Sequence, residues 1–369
     1  MTTFVQLHAL TFVPPANLNR DDMGRPKTAV LGGQTRLRLS SQSLKRAWRE
    51  SDVFATELAG HLGHRTQRFG TRIQDHLLGL GIPEAKATEI TREVIAAFGK
   101  PKSEKDDSPL YTEQLAFLSP EEQQAALDFA AARARGEAEK LDPKKTAQRL
   151  LRGADTAADI AMFGRMFADN ADFNREAAVQ VAHAVTTHQA AGEDDFYTAV
   201  DDLKKKAEDA GAGFVGDAGF GSGVFYFYLC IDTDLLIANL GGDRALARAA
   251  VGALVRAATT VLPGGKQKSF AALGRASYAR VEKGTAQPRT LAAAFARGVT
   301  LHDDGTETGD LLAASIHRLE HTAAAFDAVY GAGDVTHTAF DVTKALSGGE
   351  AGSLDALVAF ATGFGGADA

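Results

Sequence analysis

The sequence predicts an α+β fold, a sheet domain built from both ends of the chain with a long helical insertion between the two parts. Three observations predict it. The first 59 residues read strand, loop, strand, helix; residues 60–191 have helical texture; and residues 223–343 read strand, helix, strand, helix, strand. No internal repeat is present.

Each element has its own signal. "FVQLHALTFV" (4–13) is apolar in both alternating registers apart from Gln6, His8 and Thr11, which suits a strand covered on both faces. "PPANLNRDDMGRPK" is an irregular loop rich in Pro, Asn and Asp. "TRLRLS" alternates Arg36 and Arg38 against Leu37 and Leu39, a half-buried strand. The helix after it carries Leu44, Ala47 and Trp48 on one stripe. In the helical stretch, "SPEE" (119–122) is a start signal, with Ser as cap, Pro in the first turn and Glu three residues after the cap. "TAADIAMFGRMFA" (156–168) predicts another helix, and "GKPKSEKDDSP" (99–109) an exposed linker. "AGAGFVGDAGFGSG" (210–223) predicts a glycine-rich loop. "GVFYFYLCID" (223–232) returns to strand. The helix of 245–262, the basic loop "GGKQKSFAALG", the strand "RASYARVEKG", the helix of 308–331 and a short strand "HTAFDVT" follow.

Composition narrows the function. The 369 residues are 45% hydrophobic and 24% charged, enough apolar content for a sizeable core. One cysteine, Cys230, excludes an intrachain disulfide and a multi-cysteine zinc site. The N-terminus lacks a signal-peptide pattern, and no run of about twenty apolar residues could span a bilayer. The expectation is a soluble protein of the cytoplasm, with no membrane partner and no cofactor. A net charge of −7 argues against nucleic-acid binding driven by bulk charge. Its distribution points the other way. From Arg20 to Arg49 eight basic residues face only Asp21 and Asp22, a local +6 on a remainder of −13. A basic face on an acidic body fits an anionic ligand with a defined path.

That face peaks at the strand–helix junction "RLRLSSQSLKRAWRE" (36–50). With Ser41 as N-cap, its hydroxyl accepts from the N–H of Ser43 or Leu44, and the remaining first-turn N–H groups point outward as an anion site. Lys45 and Arg49 share a helix face with Arg46 beside them, opposite Leu44, Ala47 and Trp48, and Arg36 and Arg38 project together from the strand. Hydroxyls, amides and cations then converge on phosphates without a base-specific donor pattern. The alternative is an ordinary serine cap on a solvated charged face.

The stretch "NLNRDDMGRPKTAVLGGQTRLRLSSQSLKRAWR" resembles the N-terminal signature of the CasC family, backbone subunits of the type I-E CRISPR Cascade complex. The resemblance lies in Asn19 to Asp22, Gly32-Gly33, Arg36, Arg38 and Ser40 to Arg46, and again in "TAADIAMFGRM" and in "DDFYTAVDDL" leading to "SGVFYFY". It implies a hand-shaped subunit: a modified RRM-like (ferredoxin-like) palm from residues 1–59 and 223–369, a helical fingers insertion at 60–191 and a flexible thumb at 192–222. It also implies copies stacked as a right-handed filament along one crRNA. Each thumb would fold over the guide and interrupt its pairing with target DNA at regular intervals, beside other Cascade subunits. Arg20, Lys27, Arg38, Ser40, Gln42, Lys45, Arg46 and Arg49 are then expected to hold phosphates and sugars, which positions RNA without reading its sequence. Lys266 and Lys268 resemble a second basic palm element. Met166, Tyr197, Thr198 and Val200 match places where apolar residues wedge against bases near the kink. Met166 also fits a core stripe with Met162, Phe163 and Phe167, and Tyr197 can likewise be core.

Other motifs carry less. "GAGFVG" matches G-x-G-x-x-G but follows a helix and precedes a strand, the reverse of a dinucleotide site. His61, His64, His76 and Asp75 lack a zinc-protease pattern and read as surface or packed side chains. Asp21 and Asp22 raise an alternative function, a metal-dependent ribonuclease of the related type III backbone kind, against the milder reading that they cap the Asn-rich turn or pair with Arg25. Phe225, Tyr226, Phe227 and Tyr228 invite comparison with the stacking aromatics of RNA-binding sheets, yet four in a row must split between two faces, which makes at least two of them core.

Overall fold

The computed structural model describes residues 1–167, 170–199, 214–301, 310–345 and 352–365. The chain enters through β1 (Phe4–Ala16), β2 (Thr28–Leu31), β3 (Gln34–Leu39), α1 (Ser41–Arg49) and α2 (Asp52–Glu57). It continues through β4 (His64–Thr66), α3 (Phe69–Gly79), α4 (Glu84–Ile95), β5 (Ala116–Leu118), α5 (Pro120–Arg135), α6 (Pro143–Leu150) and α7 (Ala158–Phe163). Strands β6 (Val179–Val181), β7 (Ala184–Thr186), β8 (Glu193–Ala199) and β9 (Phe214–Asp232) bring it back to the sheet. The elements α8 (Thr233–Asn239), α9 (Arg244–Thr260), α10 (Gln267–Phe270), β10 (Ala276–Gly284), α11 (Leu311–Tyr330), β11 (Thr336–Asp341) and α12 (Leu354–Thr362) complete it. None of the described helices is long and apolar enough to cross a membrane.

The fold is the α+β arrangement the pattern predicts. An antiparallel sheet runs β11-β10-β1-β9-β7-β3-β2, with β6 and β8 also paired to β9. Strand β1 sits between β9 and β10, with Leu7 opposite Leu229 and Val281. Alternation along β9 sends Phe225, Phe227, Leu229 and Ile231 to one face, against Leu44 and Trp48 of α1 and the apolar stripes of α9 and α12. The opposite face takes Val224 and Tyr226, with Tyr228 partly buried, under Phe295 and the Ile316–Leu319–Ala323 stripe of α11. The four aromatics therefore split two and two, and neither pair is free to stack on bases.

The face under α11 also carries charge. Glu282 is buried between Arg280 at 2.9 Å and Arg289 at 3.3 Å, and Arg280 reaches Glu320 of α11 at 2.9 Å. His8 Nδ1 lies 2.9 Å from the Tyr226 hydroxyl. Burial pushes the His8 imidazole down to about 3; Glu282 opposes this, and Arg280 and Arg289 add to it. A paired polar layer thus replaces an open sheet surface.

A second core forms among α3, α4, α5 and α6, from Phe69, Ile73, Leu77, Ile90, Val94, Phe129 and Leu150. Helix α5 starts on the expected signal. Ser119 Oγ accepts from the Glu122 N–H at 3.1 Å, and Glu122 Oε2 accepts from the Ser119 N–H at 3.0 Å. The same carboxylate meets Arg165 at 2.5 Å with both side chains buried.

Several expected elements differ. The stretch 60–191 is not helical throughout: β6 pairs with β9 of the sheet, β7 with β9 and β3, and β4 with β5. The expected basic loop after α9 contains α10. The helix predicted over 156–168 ends at Phe163, because Gly164 adopts φ +74 and a Cβ there would lie 2.8 Å from the Arg175 carbonyl. The glycine-rich loop predicted over 210–223 is strand from Phe214 onward, paired with β8 and then β1; its earlier residues, 210–213, lie outside the described residues. Its glycines admit close neighbours: a Cβ at Gly221 would lie 2.6 Å from Leu37, and one at Gly223 would lie 2.6 Å from His188.

Candidate nucleic-acid interface

The junction before α1 is built from the cap outward. Ser40, not Ser41, is the N-cap: its backbone is extended, and its Oγ accepts from the Ser43 N–H at 3.3 Å. Either serine suits the chemistry of a cap. Asn19 decides between them, because its Oδ1 accepts the Ser40 N–H at 2.8 Å and fixes that residue outside the helix. Ser41 becomes the first helical residue and donates its N–H to His183 Nδ1 at 2.9 Å. The Leu44 N–H goes to the Ser40 carbonyl at 3.1 Å. Among the described residues, only the Gln42 amide of this first turn keeps no partner, so the amide share of the anion site is smaller than expected.

Two of the expected cations are also engaged inside the protein. Arg36 is fully buried and donates to the carbonyls of Thr186 at 3.2 Å and Phe295 at 3.1 Å; it does not project beside Arg38. Arg49 donates to Asp159 at 3.1 Å and lies 4.5 Å from the Phe117 ring centre. Burial holds the Asp159 carboxyl above its usual value, while Gly63 and Arg49 pull it down. Ser40, 6% exposed, is likewise taken up as the cap.

The remaining groups gather on one side of α1. The Arg38 N–H bonds the Lys27 carbonyl at 2.8 Å, and the Lys27 N–H bonds the Asn19 carbonyl at 2.9 Å, which sets β3 beside the loop carrying exposed Arg20. His183 stands in the field of Arg38 and Lys27. Burial first, then those two cations, hold its imidazole below the usual value. Ser41 donates to Nδ1, so the neutral ring carries its hydrogen on Nε2. Sequence reasoning missed His183, which lies 142 residues from Ser41 with no spacing signal. Gln42 is exposed on the same helix. Lys45 is half-buried and lowered by burial and by Arg65. Arg46 is exposed and pairs with Glu50 at 3.0 Å.

The second basic element joins this surface. A Cβ at Gly265 would lie 2.3 Å from the Leu18 carbonyl, so the turn bearing Lys266 and exposed Lys268 rests on the segment leading to Arg20. Phe270 of the same turn contacts Phe220 at 6.3 Å between ring centres. Asp21 Oδ1 accepts the N–H groups of Met23 at 3.0 Å and Arg25 at 2.9 Å, the turn-capping arrangement. The Arg25 side chain instead pairs with Asp194 of β8 at 3.3 Å.

Strand β8 is exposed along its length and pairs with Phe214–Phe220, so Tyr197 and Thr198 stand on a ribbon outside both cores. Tyr197 is 46% exposed and Met166 is 79% exposed, whereas Met162 and Phe167 are buried; the core-stripe reading of Met166 does not hold. Val200 lies outside the described residues. No group of three or more His, Cys, Asp or Glu among the described residues is arranged to hold a metal ion.

The chain as a whole resembles known proteins. A family profile described as "CT1975-like protein" matches residues 5–359. A solved chain from a "CRISPR RNA-guided surveillance complex, pre-nicking" is 30% identical with a TM-score of 0.83, over 97% of this chain and 100% of that one. A chain from a "CRISPR RNA-guided surveillance complex" is 25% identical with a TM-score of 0.73, over 97% of this chain and 99% of that one. No curated protein matches the sequence.

Proposed function

This chain belongs to the CT1975-like protein family, and from that premise we propose that it is a crRNA-binding backbone subunit of a Cascade-type surveillance complex, of the type I-E CasC kind. The observation that carries the reading is that Lys27, Arg38 and His183, from three separate segments, meet at the start of α1, the helix that also carries Gln42 and Lys45. Lys27, Arg38 and Lys45 have no carboxylate partner among the described residues. Cations and neutral N–H donors without a base-edge pattern hold a ribose–phosphate chain of any sequence. Arg20, Arg46, Lys266 and Lys268 extend the track on either side. Ser40 and Arg49 act behind it, holding α1 in place.

In this reading residues 1–59 and 223–369 form the palm, 60–191 the fingers and 192–222 the thumb. Copies stack along the guide, and each thumb interrupts its pairing with target DNA, with Met166, Tyr197, Thr198 and Val200 against the bases. Exposed Tyr197 and Thr198 on β8, and exposed Met166 beyond the end of α7, suit contact with unstacked bases. The chain's role is to hold the guide rather than cut it.

The test separates holding from cutting. Labelled RNA is incubated with the protein and Mg²⁺ or Mn²⁺, then digested with an added nuclease, and the assembly is imaged. Regularly spaced protection, with helical stacking and no cleavage, is the expected result. Cleavage abolished by Asp22→Ala would establish the ribonuclease alternative.

A further inference from the structure

Helix α1 is tied to the helical block through one strut. Arg49 Nε donates to Asp159 Oδ2 at 3.1 Å, and Asp159 Oδ1 accepts the Gly63 N–H at 2.8 Å, two residues before Arg65. The Arg49 guanidinium lies over Phe117, and Phe117 is the direct cross-strand partner of Arg65 in the β4–β5 ladder. Cross-strand partners project from the same face of a ladder. Arg65 therefore leaves β4 on the side that Arg49 and α1 occupy. It is exposed, and Lys45, one turn before Arg49, feels its charge.

The other cations of α1 have counter-charges: Arg46 has Glu50, and Arg49 has Asp159. Lys45 and Arg65 have no carboxylate within ion-pair distance among the described residues. Like charges set side by side disfavour the unliganded state unless an anion joins them. The strut ties the backbones that carry both residues to each other. We infer that Lys45 and Arg65 form a two-sided clamp for one phosphodiester of the bound polynucleotide, which makes Arg65 a further backbone contact on the helical block. The guanidinium fork takes two non-bridging oxygens, and the ammonium meets the same group as a point charge. This deepens, and rests on, the RNA-binding reading.

The test uses the full chain and an RNA of arbitrary sequence too short to hold two copies. Affinity is measured across a salt series for the wild type, Arg65→Gln and, as a control on the reading itself, Arg38→Gln. The expected result is a several-fold weaker affinity for Arg65→Gln and a salt slope shallower by about 0.7, one lost phosphate on a single strand. The melting temperature without RNA should be unchanged or higher, because a like-charge contact is gone. Unchanged affinity and slope in Arg65→Gln, with both reduced in Arg38→Gln, would overturn the clamp and leave the reading standing. If neither variant changes, the reading itself fails. The same series is run in parallel on an RNA long enough for several copies; a loss seen only there would mean that Arg65 meets a neighbouring chain and would also overturn the clamp.

Discussion

Arginines 36, 38, 46 and 49 carry the same side chain and do four different things. Arg36 is a buried tie between carbonyls, Arg38 faces His183, Arg46 holds an exposed intrahelical pair, and Arg49 braces α1 against Asp159. Sequence spacing groups them because the strand period and the helix period put them on one side. It cannot say which of them the rest of the chain will cover. Phe295 and Asp159, which cover Arg36 and engage Arg49, lie more than a hundred residues away. His183 is invisible for the same reason. The difference has a measurable consequence. Arg49→Ala leaves the Asp159 carboxyl buried without its cation and should cost about 3 kcal/mol of stability, the low end for a buried pair because Arg49 is partly exposed. Arg46→Ala, at an exposed pair, should leave the denaturation midpoint where it is. Equal midpoints for the two variants would show that Arg49 is as free as Arg46.

Among the elements, those with strong local patterns were legible. The apolar run of β1, the aromatic strand of β9, the capping box of α5 and the apolar stripe of α11 all form where their residues predict. The cap of α1 shifts by one because "SSQS" offers two equivalent serines and only Asn19 tells them apart. Glycine was the least legible signal. In β9 it marks space for Leu37 and His188 rather than a turn, and at Gly164 it marks the end of a helix whose apolar pattern runs on. Gly265 gives a test at this scale. The glycine seats the Lys266–Lys268 turn on the Leu18 carbonyl, so Gly265→Ala should lift that turn from the Arg20 loop. RNA affinity should fall several-fold with net charge unchanged. Wild-type affinity in the variant would show that the seat contributes nothing to binding.

Across the whole molecule, the charge distribution explains how an acidic protein can hold an anion. The net −13 outside residues 20–49 disfavours indiscriminate binding of a polynucleotide, while residues 20–49, with the Lys266–Lys268 turn seated beside them, offer it a local basic face. The sheet's two faces are closed, one by α1, α9 and α12 and the other by α11, so among the described residues the sheet offers no open aromatic platform. In the proposed reading, the cations and N–H donors around the start of α1 meet the RNA backbone and not its bases. The fold class could be read from the sequence, and the proposed interface rests on the same basic run, which the structure places around the start of α1. The closure of the second sheet face could not, because α11 has an ordinary amphipathic pattern that names no partner.

The most direct measurement is RNA affinity over a salt series for Lys45→Glu combined with Arg46→Glu, on two guides of unrelated sequence. The account predicts the same loss on both guides, with the salt slope shallower by about 0.7 for each phosphate contact removed. Unequal losses between the guides, or a slope that does not move, would contradict it.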